Sequence, residues 1–257
     1  MKQVFKFPDS LYPVATHYCP GCGHGVLHRI VAETLDELGV AGKTVGIAPV
    51  GCSVLIYNYI KVDMLEAAHG RAPAIATGIK RASPDTVVFT YQGDGDLAAI
   101  GTGELIHTAS RGENVTTIFI NNAIYGMTGG QMAPTTMIGQ KTTTTPAGRS
   151  LKNDGPPVRV CELLSSLEGV VYLERVMVGG PVNARKIKRA VKKAFQTQLA
   201  GRGYALVEVL SPCPVGWGLS PQDAVKYVAD TMTKVFPPGV FKDWERKEEA
   251  KPADVAK

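Results

Sequence analysis

The sequence predicts an α/β fold in which a mostly parallel sheet is flanked by helices. Strand-like and helix-like segments alternate along the 257 residues, and this alternation is typical of parallel strands joined by crossover helices. The strand-like segments are continuous apolar runs, as expected for strands buried on both faces. Because no internal repeat or long linker interrupts the alternation, we expect one large domain over residues 1–257.

The predicted elements begin with an amphipathic helix. Apolar residues recur on one face of residues 26–38, and Gly39 can end this helix. Ser220 followed by Pro221 is typical of a helix cap and begins a late helix. Between them the sequence predicts strands at 44–48, 86–91, 115–120, 170–176 and 205–210, and helices at 104–111 and 182–199.

Three segments fall outside this alternation. Residues 1–25 form an N-terminal arm that carries a pair of cysteines. Residues 126–157 are rich in glycine, threonine and proline, and a loop of this length is usually functional or bound by a partner. Residues 242–257 form a charged tail, which we expect to be mobile or to wrap on another chain.

Composition and charge exclude several classes of protein. Hydrophobic residues make up 44% of the chain and charged residues 20%, which excludes a disordered or fibrous protein. No run approaches the roughly 20 apolar residues of a membrane span, and the first residues lack the apolar core of a signal peptide, so we expect no membrane association and a cytoplasmic location.

The net charge is +5. The densest basic segment, residues 185–193, is either a solvated helix face or a docking surface for an acidic partner, and its lack of interleaved aromatic residues argues against nucleic acid.

A glycine- and aspartate-rich loop follows the strand at 86–91. Residues 93–98 fit the G-x-G-x-x-A fingerprint, which points first to a nicotinamide or flavin nucleotide fold. Two features disagree with that interpretation. Asp94 and Asp96 would place negative charge where the pyrophosphate lies, and the next strand ends in Asn121 and Asn122 instead of the acid that holds a ribose.

A divalent cation would resolve both disagreements. Mg²⁺ prefers oxygen ligands and bridges protein carboxylates to substrate phosphates. Asp94 and Asn122 would supply side-chain oxygens, and Ile124 a backbone carbonyl oxygen. The main chain could approach a diphosphate closely at the nearby glycines, Gly93, Gly95 and Gly126.

The five cysteines, without a secretion signal, argue for a metal site or free thiols and against a disulfide framework. Cys19 and Cys22 form a C-x-x-C that fits a redox dithiol, half of a zinc site or half of an iron–sulfur site, although a poor strand before the pair disfavours the dithiol. Cys52 and Cys213 each follow a predicted strand, so a parallel sheet would bring all four thiols to the edge that holds the aspartate loop. A 4Fe–4S cluster and a zinc ion remain equally compatible with them. Cys161 has apolar neighbours and is predicted to be a buried core residue.

The histidines give a weaker signal. His69 and Arg71 belong either to an ordinary helix end or to a functional site, and composition alone does not separate these two interpretations. The other histidines show no cluster in the sequence; they are His17, His24, His28 and His107. His28 and His107 lie inside predicted helices.

Together these motifs resemble the thiamine diphosphate-binding β subunit of the 2-oxoacid:ferredoxin oxidoreductases, and the resemblance covers most of the chain. It is carried by residues 19–25 (CPGCGHG), 51–53 (GCS), 69–72 (HGRA), 93–96 (GDGD), 121–122 (NN), 125–131 (YGMTGGQ) and 211–214 (SPCP). It implies a thiamine diphosphate-binding fold. The magnesium ligands that it implies are Asp94, Asn122 and the Ile124 carbonyl, and the 4Fe–4S ligands are Cys19, Cys22, Cys52 and Cys213. The cofactor-lining residues that it implies are Gly51, Cys52, Ser53, Val54, His69, Gly93, Gly95, Asp96, Gly126 and Met127, and Arg71 would face the cofactor or the substrate.

The activity implied by this resemblance is the oxidative decarboxylation of a 2-oxoacid to an acyl-coenzyme A and CO₂, with electrons passing through the cluster to ferredoxin. Residues 127–136 are most similar to members acting on branched-chain 2-oxoacids such as 2-oxoisovalerate, and members acting on 2-oxoglutarate, indolepyruvate or pyruvate are close rivals. No coenzyme A site is recognisable. Two alternatives remain open: a non-redox thiamine-dependent decarboxylase subunit, and a non-catalytic electron-transfer protein bearing zinc or a cluster.

The resemblance also implies an incomplete site. Thiamine enzymes of this kind hold the cofactor between a diphosphate domain and a pyrimidine domain, and 257 residues have room for one of them. An α subunit would therefore supply the other half. A γ subunit and a ferredoxin-like δ subunit, separate or fused, would complete the assembly.

Overall fold

The computed structural model describes residues 6–245, and its centre is a seven-stranded sheet. The strands are β1 (Thr44–Ala48), β2 (Asp63–Glu66), β3 (Val87–Gly93), β4 (Thr116–Asn121), β5 (Val170–Met177), β6 (Tyr204–Leu210) and β7 (Gly239–Asp243). Their order across the sheet is β2-β1-β3-β4-β6-β5-β7. Neighbours pair in parallel except for β5 and β7, which are antiparallel. The predicted α/β class with a mostly parallel sheet is confirmed.

Helices cover both faces of the sheet. They are α1 (His24–Leu38), α2 (Ala72–Ala82), α3 (Thr102–Ser110), α4 (Leu151–Asp154), α5 (Val160–Ser165), α6 (Gly180–Leu199), α7 (Pro214–Trp217), α8 (Pro221–Tyr227) and α9 (Thr233–Val235). Within residues 6–245, no helix combines the length and the apolarity needed to cross a membrane.

Alternate side chains of each central strand enter different cores, which explains the continuous apolar runs. In β3, Phe89 and Tyr91 join the core formed with α1 and α6, whereas Val88 packs on the opposite side with α2. In β4, Ile118 joins the first core and Phe119 packs towards α3 and α5. With both faces covered, the strand ends are left to form loops at the edges of the sheet.

The apolar strands and amphipathic helices of the sequence lie within two residues of their predicted ends. Ser220 caps α8 as predicted, because its Oγ accepts a hydrogen bond from the Asp223 amide at 3.2 Å. The structure adds α2, α5, β2 and β7, which the apolar pattern did not reveal. The segment at 126–157 contains a single short helix, α4, and otherwise runs as a loop.

The prediction of a charged tail starting at residue 242 is wrong for its first part. Lys242 and Asp243 belong to β7, which pairs with β5. Trp244 Nε1 then donates to Thr197 Oγ1 at 3.0 Å, and Lys193 forms ion pairs with Asp243 and Glu245. Residues 246–257, like residues 1–5 of the predicted arm, lie outside the described residues.

Much of the basic segment at 185–193 pairs with acidic residues of the same chain. Lys188 Nζ lies 3.0 Å from Glu33 and 2.6 Å from Glu37, and Lys192 Nζ lies 2.9 Å from Glu37. These ion pairs join α6 to α1. The predicted docking surface for an acidic partner is therefore partly neutralised within the fold.

Candidate functional site

A cleft of about 150 Å³ lies at the carboxyl ends of the central strands. Loops at this edge of a parallel sheet converge because every crossover returns to the same side. The cleft is lined by His24, Val50, Gly51, Cys52, Ser53, His69, Gly93, Asp94, Gly95, Asp96, Ile120, Asn122, Ile124, Tyr125, Gly126, Met127 and Thr128. Of the predicted cofactor-lining residues, Val54 is the one that does not line it.

Asp94 is buried at the end of β3, with its carboxylate directed to the loop after β4. Its Oδ2 accepts hydrogen bonds from Thr135 Oγ1 at 2.7 Å and from the Ile124 amide at 3.2 Å, and its Oδ1 accepts one from the Gly95 amide at 3.0 Å. Burial raises the pKa of this carboxyl to about 6, and the three hydrogen bonds act in the opposite direction. A cation beside Asp94 would favour its charged form.

Residues 121–125, which we call the asparagine loop, bring further oxygens to Asp94. The side-chain oxygen of Asn122 lies 2.7 Å from the Ile124 carbonyl oxygen and 3.3 Å from Asp94 Oδ2. It also accepts one long hydrogen bond, at 3.4 Å, from the Ile124 amide. Three oxygens in such close contact repel one another unless the Asn122 amide rotates or a cation lies between them. This oxygen arrangement matches the donor set of a magnesium site.

The asparagine loop has an unusual backbone conformation. Ala123 has φ 57°, the one positive value among the non-glycine residues described, and this left-handed conformation is unfavourable for alanine. Its carbonyl oxygen accepts hydrogen bonds from Thr136 Oγ1 at 2.7 Å and Gln140 Nε2 at 3.0 Å. The conformation is therefore held by residues of the 126–157 segment, which we call the threonine loop.

Asp96 joins three loops of the cleft. Its Oδ1 accepts from the amides of Gly70 at 2.8 Å and Val50 at 3.2 Å, and its Oδ2 accepts from Gln92 Nε2 at 2.6 Å. His69 Nε2 lies 3.7 Å from Asp96 Oδ1. Asp96 thus fixes the main chain around the cleft in addition to lining it.

The structure separates the two candidates His69 and Arg71. His69 lines the cleft, whereas Arg71 is absent from its lining. The Arg71 guanidinium forms an ion pair with Glu104 of α3. Both residues precede α2, so this stretch begins a helix and does not end one.

The four cysteines other than Cys161 approach one another beside this cleft, and we call them the cysteine group. A Cβ placed on Gly126 would lie 3.2 Å from Cys213 Sγ and 3.7 Å from Cys52 Sγ. Burial, helped by the nearby thiols of Cys52 and Cys19, raises the pKa of Cys22 to about 11. Burial also raises the pKa of Cys213 to about 12, with Cys22 and Cys52 adding to the effect.

No disulfide links these four residues, because every cysteine of the described chain is a free thiol. Within residues 6–245, no three His, Cys, Asp or Glu side chains surround a single ion position. A zinc site draws its thiolates to about 2.3 Å from one ion, whereas an iron–sulfur cluster separates them with its own atoms. Cys161 is fully buried among Val160, Leu164 and their neighbours, as predicted.

Trp217 connects the cysteine group to the asparagine loop. Its Nε1 donates to the Asn122 carbonyl oxygen at 3.1 Å, and its own amide donates to the Cys213 carbonyl oxygen at 2.9 Å. On the other side of the loop, Asn121 Nδ2 donates to the buried Glu208 at 2.8 Å. Sequence reasoning missed these supporting residues because nothing in their spacing indicates which loop they contact.

The expectation that the remaining histidines form no cluster is wrong for three of them. A compact group of rings, which we call the aromatic–histidine cluster, consists of His17, Tyr18, His24, His28, Tyr59 and Tyr91. Burial lowers the pKa of His24 to about 3 and that of His28 well below its usual value. His28 Nδ1 is buried without a hydrogen-bond partner. The i, i+4 spacing of His24 and His28 after the cysteine pair was the available signal.

Comparison with known proteins adds independent information. Residues 49–209 match the family described as thiamine pyrophosphate enzyme, C-terminal TPP binding domain. The chain is 48% identical over 252 residues to a ketoisovalerate oxidoreductase subunit VorA of Methanothermobacter thermautotrophicus, covering 94% of this chain and 53% of that protein. It therefore spans about half the length of this relative. It is 37% identical over 219 residues to a 2-oxoglutarate synthase subunit KorB of Methanocaldococcus jannaschii, covering 83% of this chain and 77% of that protein.

A solved structure is similar over nearly the whole chain. A chain of the 2-oxoglutarate:ferredoxin oxidoreductase from Magnetococcus marinus, determined with 2-oxoglutarate, coenzyme A and succinyl-CoA bound, superposes with a TM-score of 0.75. The two chains are 26% identical, and the match covers 94% of this chain and 86% of the other.

Proposed function

The chain belongs to the thiamine diphosphate-binding subunits of the 2-oxoacid:ferredoxin oxidoreductases, and we propose that it forms the β subunit of such an enzyme. In this proposal residues 1–257 are one domain that supplies the diphosphate half of a thiamine site and one 4Fe–4S cluster. The main support for this proposal is the position of Gly126, which lines the cleft and is next to the thiols of Cys52 and Cys213. A cofactor in the cleft would lie beside the cluster.

The proposed magnesium ligands are Asp94, Asn122 and the Ile124 carbonyl. The convergence of Asp94, the Asn122 amide and the Ile124 carbonyl on one position supports this assignment, since rotation of that amide turns its oxygen towards a cation held there. It also neutralises a carboxylate whose charged form burial disfavours. The amides and glycines around Asp94 would then face the diphosphate, together with Gly51, Ser53 and the rest of the lining.

The cysteine group is the proposed ligand set of the 4Fe–4S cluster. Its four thiols come from the N-terminal arm, the loop after β1 and the loop after β6. Burial raises the pKa values of Cys22, Cys52 and Cys213 in the metal-free chain, and neighbouring thiols raise them further, so cluster binding would release protons. Cys19 is exposed, which leaves one side of the group open towards a partner.

Thiamine diphosphate, when bound, supplies the carbanion chemistry for decarboxylation. The residues of this chain hold and orient it: Asp94 and the asparagine loop anchor the diphosphate, and Asp96 fixes the surrounding main chain. His69 faces the reacting side of the cleft in this proposal, whereas the pairing of Arg71 with Glu104 gives it a supporting role. No side chain of the cleft is required as a nucleophile.

The proposed assembly includes an α subunit with the pyrimidine half of the site, a γ subunit and a ferredoxin-like δ subunit. External ferredoxin would accept the electrons, and coenzyme A the acyl group. The similarity to ketoisovalerate oxidoreductase subunits favours a branched-chain substrate such as 2-oxoisovalerate, and 2-oxoglutarate is the alternative named by the other relatives.

The test is anaerobic purification of the chain with the proteins that accompany it. We expect iron and sulfide in equal amounts, extractable thiamine diphosphate, and reduction of a viologen dye by a 2-oxoacid that depends on coenzyme A. Cys213→Ser should remove iron from this chain once it is separated from its partners and should abolish dye reduction by the complex, whereas Cys161→Ala should keep both. Decarboxylation by an iron-free preparation would indicate the non-redox decarboxylase. Iron or zinc without thiamine diphosphate would indicate an electron-transfer protein. Either result would overturn the proposal.

A further inference from the structure

One buried arginine organises the threonine loop. Arg149 is 5% exposed, and its guanidinium donates hydrogen bonds to six main-chain carbonyl oxygens. Their donor–acceptor distances run from 2.7 to 3.2 Å, and the acceptors belong to Ala133, Pro134, Thr136, Asp154, Gly155 and Pro156. A guanidinium has five N–H groups, so one of them is shared between two of the three carbonyls that Nη1 contacts. No other side chain offers such a fork.

Some of these carbonyls flank residues that contact Asp94 and the asparagine loop. Arg149 Nη1 binds the carbonyls of Pro134 and Thr136, on either side of Thr135. Thr135 Oγ1 donates to Asp94 Oδ2, and Thr136 Oγ1 donates to the Ala123 carbonyl oxygen. Movement of this stretch would therefore alter Asp94 and the asparagine loop together.

A second connection runs through the main chain of Arg149. Its amide donates to the Gln140 carbonyl oxygen at 3.0 Å, and its carbonyl oxygen accepts from the Gly139 amide at 2.9 Å. Gln140 then donates through Nε2 to the Ala123 carbonyl oxygen at 3.0 Å. Arg149 thus supports both residues that hydrogen-bond to the strained Ala123: Thr136 through its guanidinium and Gln140 through its main chain.

The strain explains why such support is needed. A non-glycine residue at positive φ costs roughly 1–2 kcal/mol and persists only where its surroundings fix it. Without these contacts Ala123 would relax, and the carbonyl of Ile124 and the side chain of Asn122 would move with it. The oxygens would then no longer converge on one position.

We propose that Arg149 is a positioning residue for the metal–diphosphate site, acting through Thr135, Thr136 and Gln140 without touching either ligand. The inference rests on the proposed function, since it assumes that Asp94 and the asparagine loop bind the metal. Its role is preorganisation: Arg149 keeps the donor oxygens in place before the cation and the diphosphate arrive.

The experiment measures binding of Mn²⁺ with thiamine diphosphate to the co-purified complex, using the electron paramagnetic resonance of free Mn²⁺. Arg149→Ala should weaken Mn²⁺ binding by at least tenfold, and added methylguanidinium should restore it, because the small cation can occupy the vacated site. Gln198→Leu is the matched control. Gln198 also makes buried hydrogen bonds to the main chain, but to Val88 at the opposite edge of the sheet, so its loss should leave Mn²⁺ binding unchanged.

Failure of the inference and failure of the proposed function give different results. A wild-type complex that binds neither Mn²⁺ nor thiamine diphosphate would overturn both. Binding by wild type with equal affinity in Arg149→Ala would overturn the inference alone, as would an equal loss of Mn²⁺ affinity in Gln198→Leu. If Arg149→Ala does not fold, Arg149→Lys replaces it. One ammonium with three N–H groups cannot serve six carbonyls, so an intermediate loss of affinity is expected, and an unchanged affinity would overturn the inference.

Discussion

At the residue scale, the two glycines beside Asp94 differ in what surrounds them. A Cβ on Gly93 would meet no atom within 4 Å, although Gly93 lines the cleft, whereas a Cβ on Gly95 would overlap the ring of Tyr125. The space at Gly93 is thus free for a ligand, and the space at Gly95 is filled by the protein itself. A side chain added at Gly93 should therefore affect ligand binding alone, whereas one added at Gly95 should also disturb folding.

We therefore predict that Gly93→Ala keeps the stability of the cofactor-free chain within about 0.5 kcal/mol but weakens thiamine diphosphate binding by at least tenfold, about 1.4 kcal/mol. Gly95→Ala should lower the stability of the cofactor-free chain as well, because Tyr125 must move. Urea unfolding and fluorescence titration with Mg²⁺ present measure the two quantities. Unchanged affinity in Gly93→Ala would show that the diphosphate lies elsewhere.

His28 supports a prediction about pH. Burial, and less strongly His24 and His17, keep its folded-state pKa well below the usual value. The other ionisable groups around it are Tyr18, Tyr59 and Tyr91. Below about pH 6.5 the unfolded chain takes up a proton at this histidine and the folded chain does not. The free energy of unfolding should thus fall with decreasing pH, by up to about 1.4 kcal/mol per pH unit for this one group.

His28→Phe should lessen this loss between pH 6.5 and pH 5, which urea unfolding of the metal-free chain would measure. The substitution leaves the ring packing in place and removes Nδ1, which has no partner in the fold. It also removes the hydrogen bond of 3.3 Å between His28 Nε2 and the Tyr18 hydroxyl. His107→Gln, at an exposed position of α3, serves as the control and should keep the wild-type pH dependence. If the His28→Phe and wild-type curves are parallel, the pH dependence does not arise from His28.

At the element scale, the strength of the local pattern determined which segments could be predicted. The strands at 115–120 and 205–210 are apolar on both faces, so their sequence identifies them. The edge strands β2 and β7 are largely exposed or half-buried, with burial patterns that lack a core face. Their pairing is decided by the neighbouring strand and not by their own residues. α2 was missed because Pro73 and Gly78 interrupt its pattern.

The same distinction applies to the site. The convergence of Asp94, Asn122, Cys52 and Cys213 could be predicted because each follows a strand, and strand ends meet at one edge. Cys19 and Cys22 lie in the N-terminal arm, where their C-x-x-C spacing was the signal. Thr135, Gln140 and Arg149 could not be, since their contacts depend on the path of a loop that has no periodicity. Sequence spacing places the residues at strand ends, and only the three-dimensional path shows what supports them.

The edge strand β7 gives a testable consequence. It covers β5, and Trp244 follows it with a hydrogen bond to Thr197 of α6. A chain ending at Pro238 should unfold with a free energy lower by roughly 2 kcal/mol or more than one ending at Glu245, since the apolar burial and pairing of β7 are lost. It should also self-associate through the uncovered edge of β5, as size-exclusion chromatography would show. A monomeric chain of unchanged stability would refute this role for β7.

At the scale of the whole molecule, the cleft has apolar residues exposed around it. Met127 is 56% exposed where it lines the cleft. Val215, 71% exposed, follows Cys213 and lines a neighbouring hollow that shares Gly126 with the cleft. Apolar side chains this exposed beside a cofactor cleft are typical of a surface that a partner covers. Their position agrees with a thiamine site completed by a second domain.

Met127→Asp and Val215→Asp should therefore reduce co-purification of the partner and abolish coenzyme A-dependent dye reduction, while the iron content falls little. The charge would be buried without a counter-ion at the interface, which costs several kcal/mol. Leu199→Asp replaces another exposed apolar residue at the C-terminal end of α6, where the chain enters β6 at the opposite edge of the sheet, and should have no effect. Separated from its partner, the chain should bind Mg²⁺ and thiamine diphosphate weakly and turn over no 2-oxoacid, because half of the cofactor would remain in water. Full turnover by the isolated chain would contradict the proposal that this chain holds only half of the thiamine site, since its own residues would then surround the cofactor without a partner.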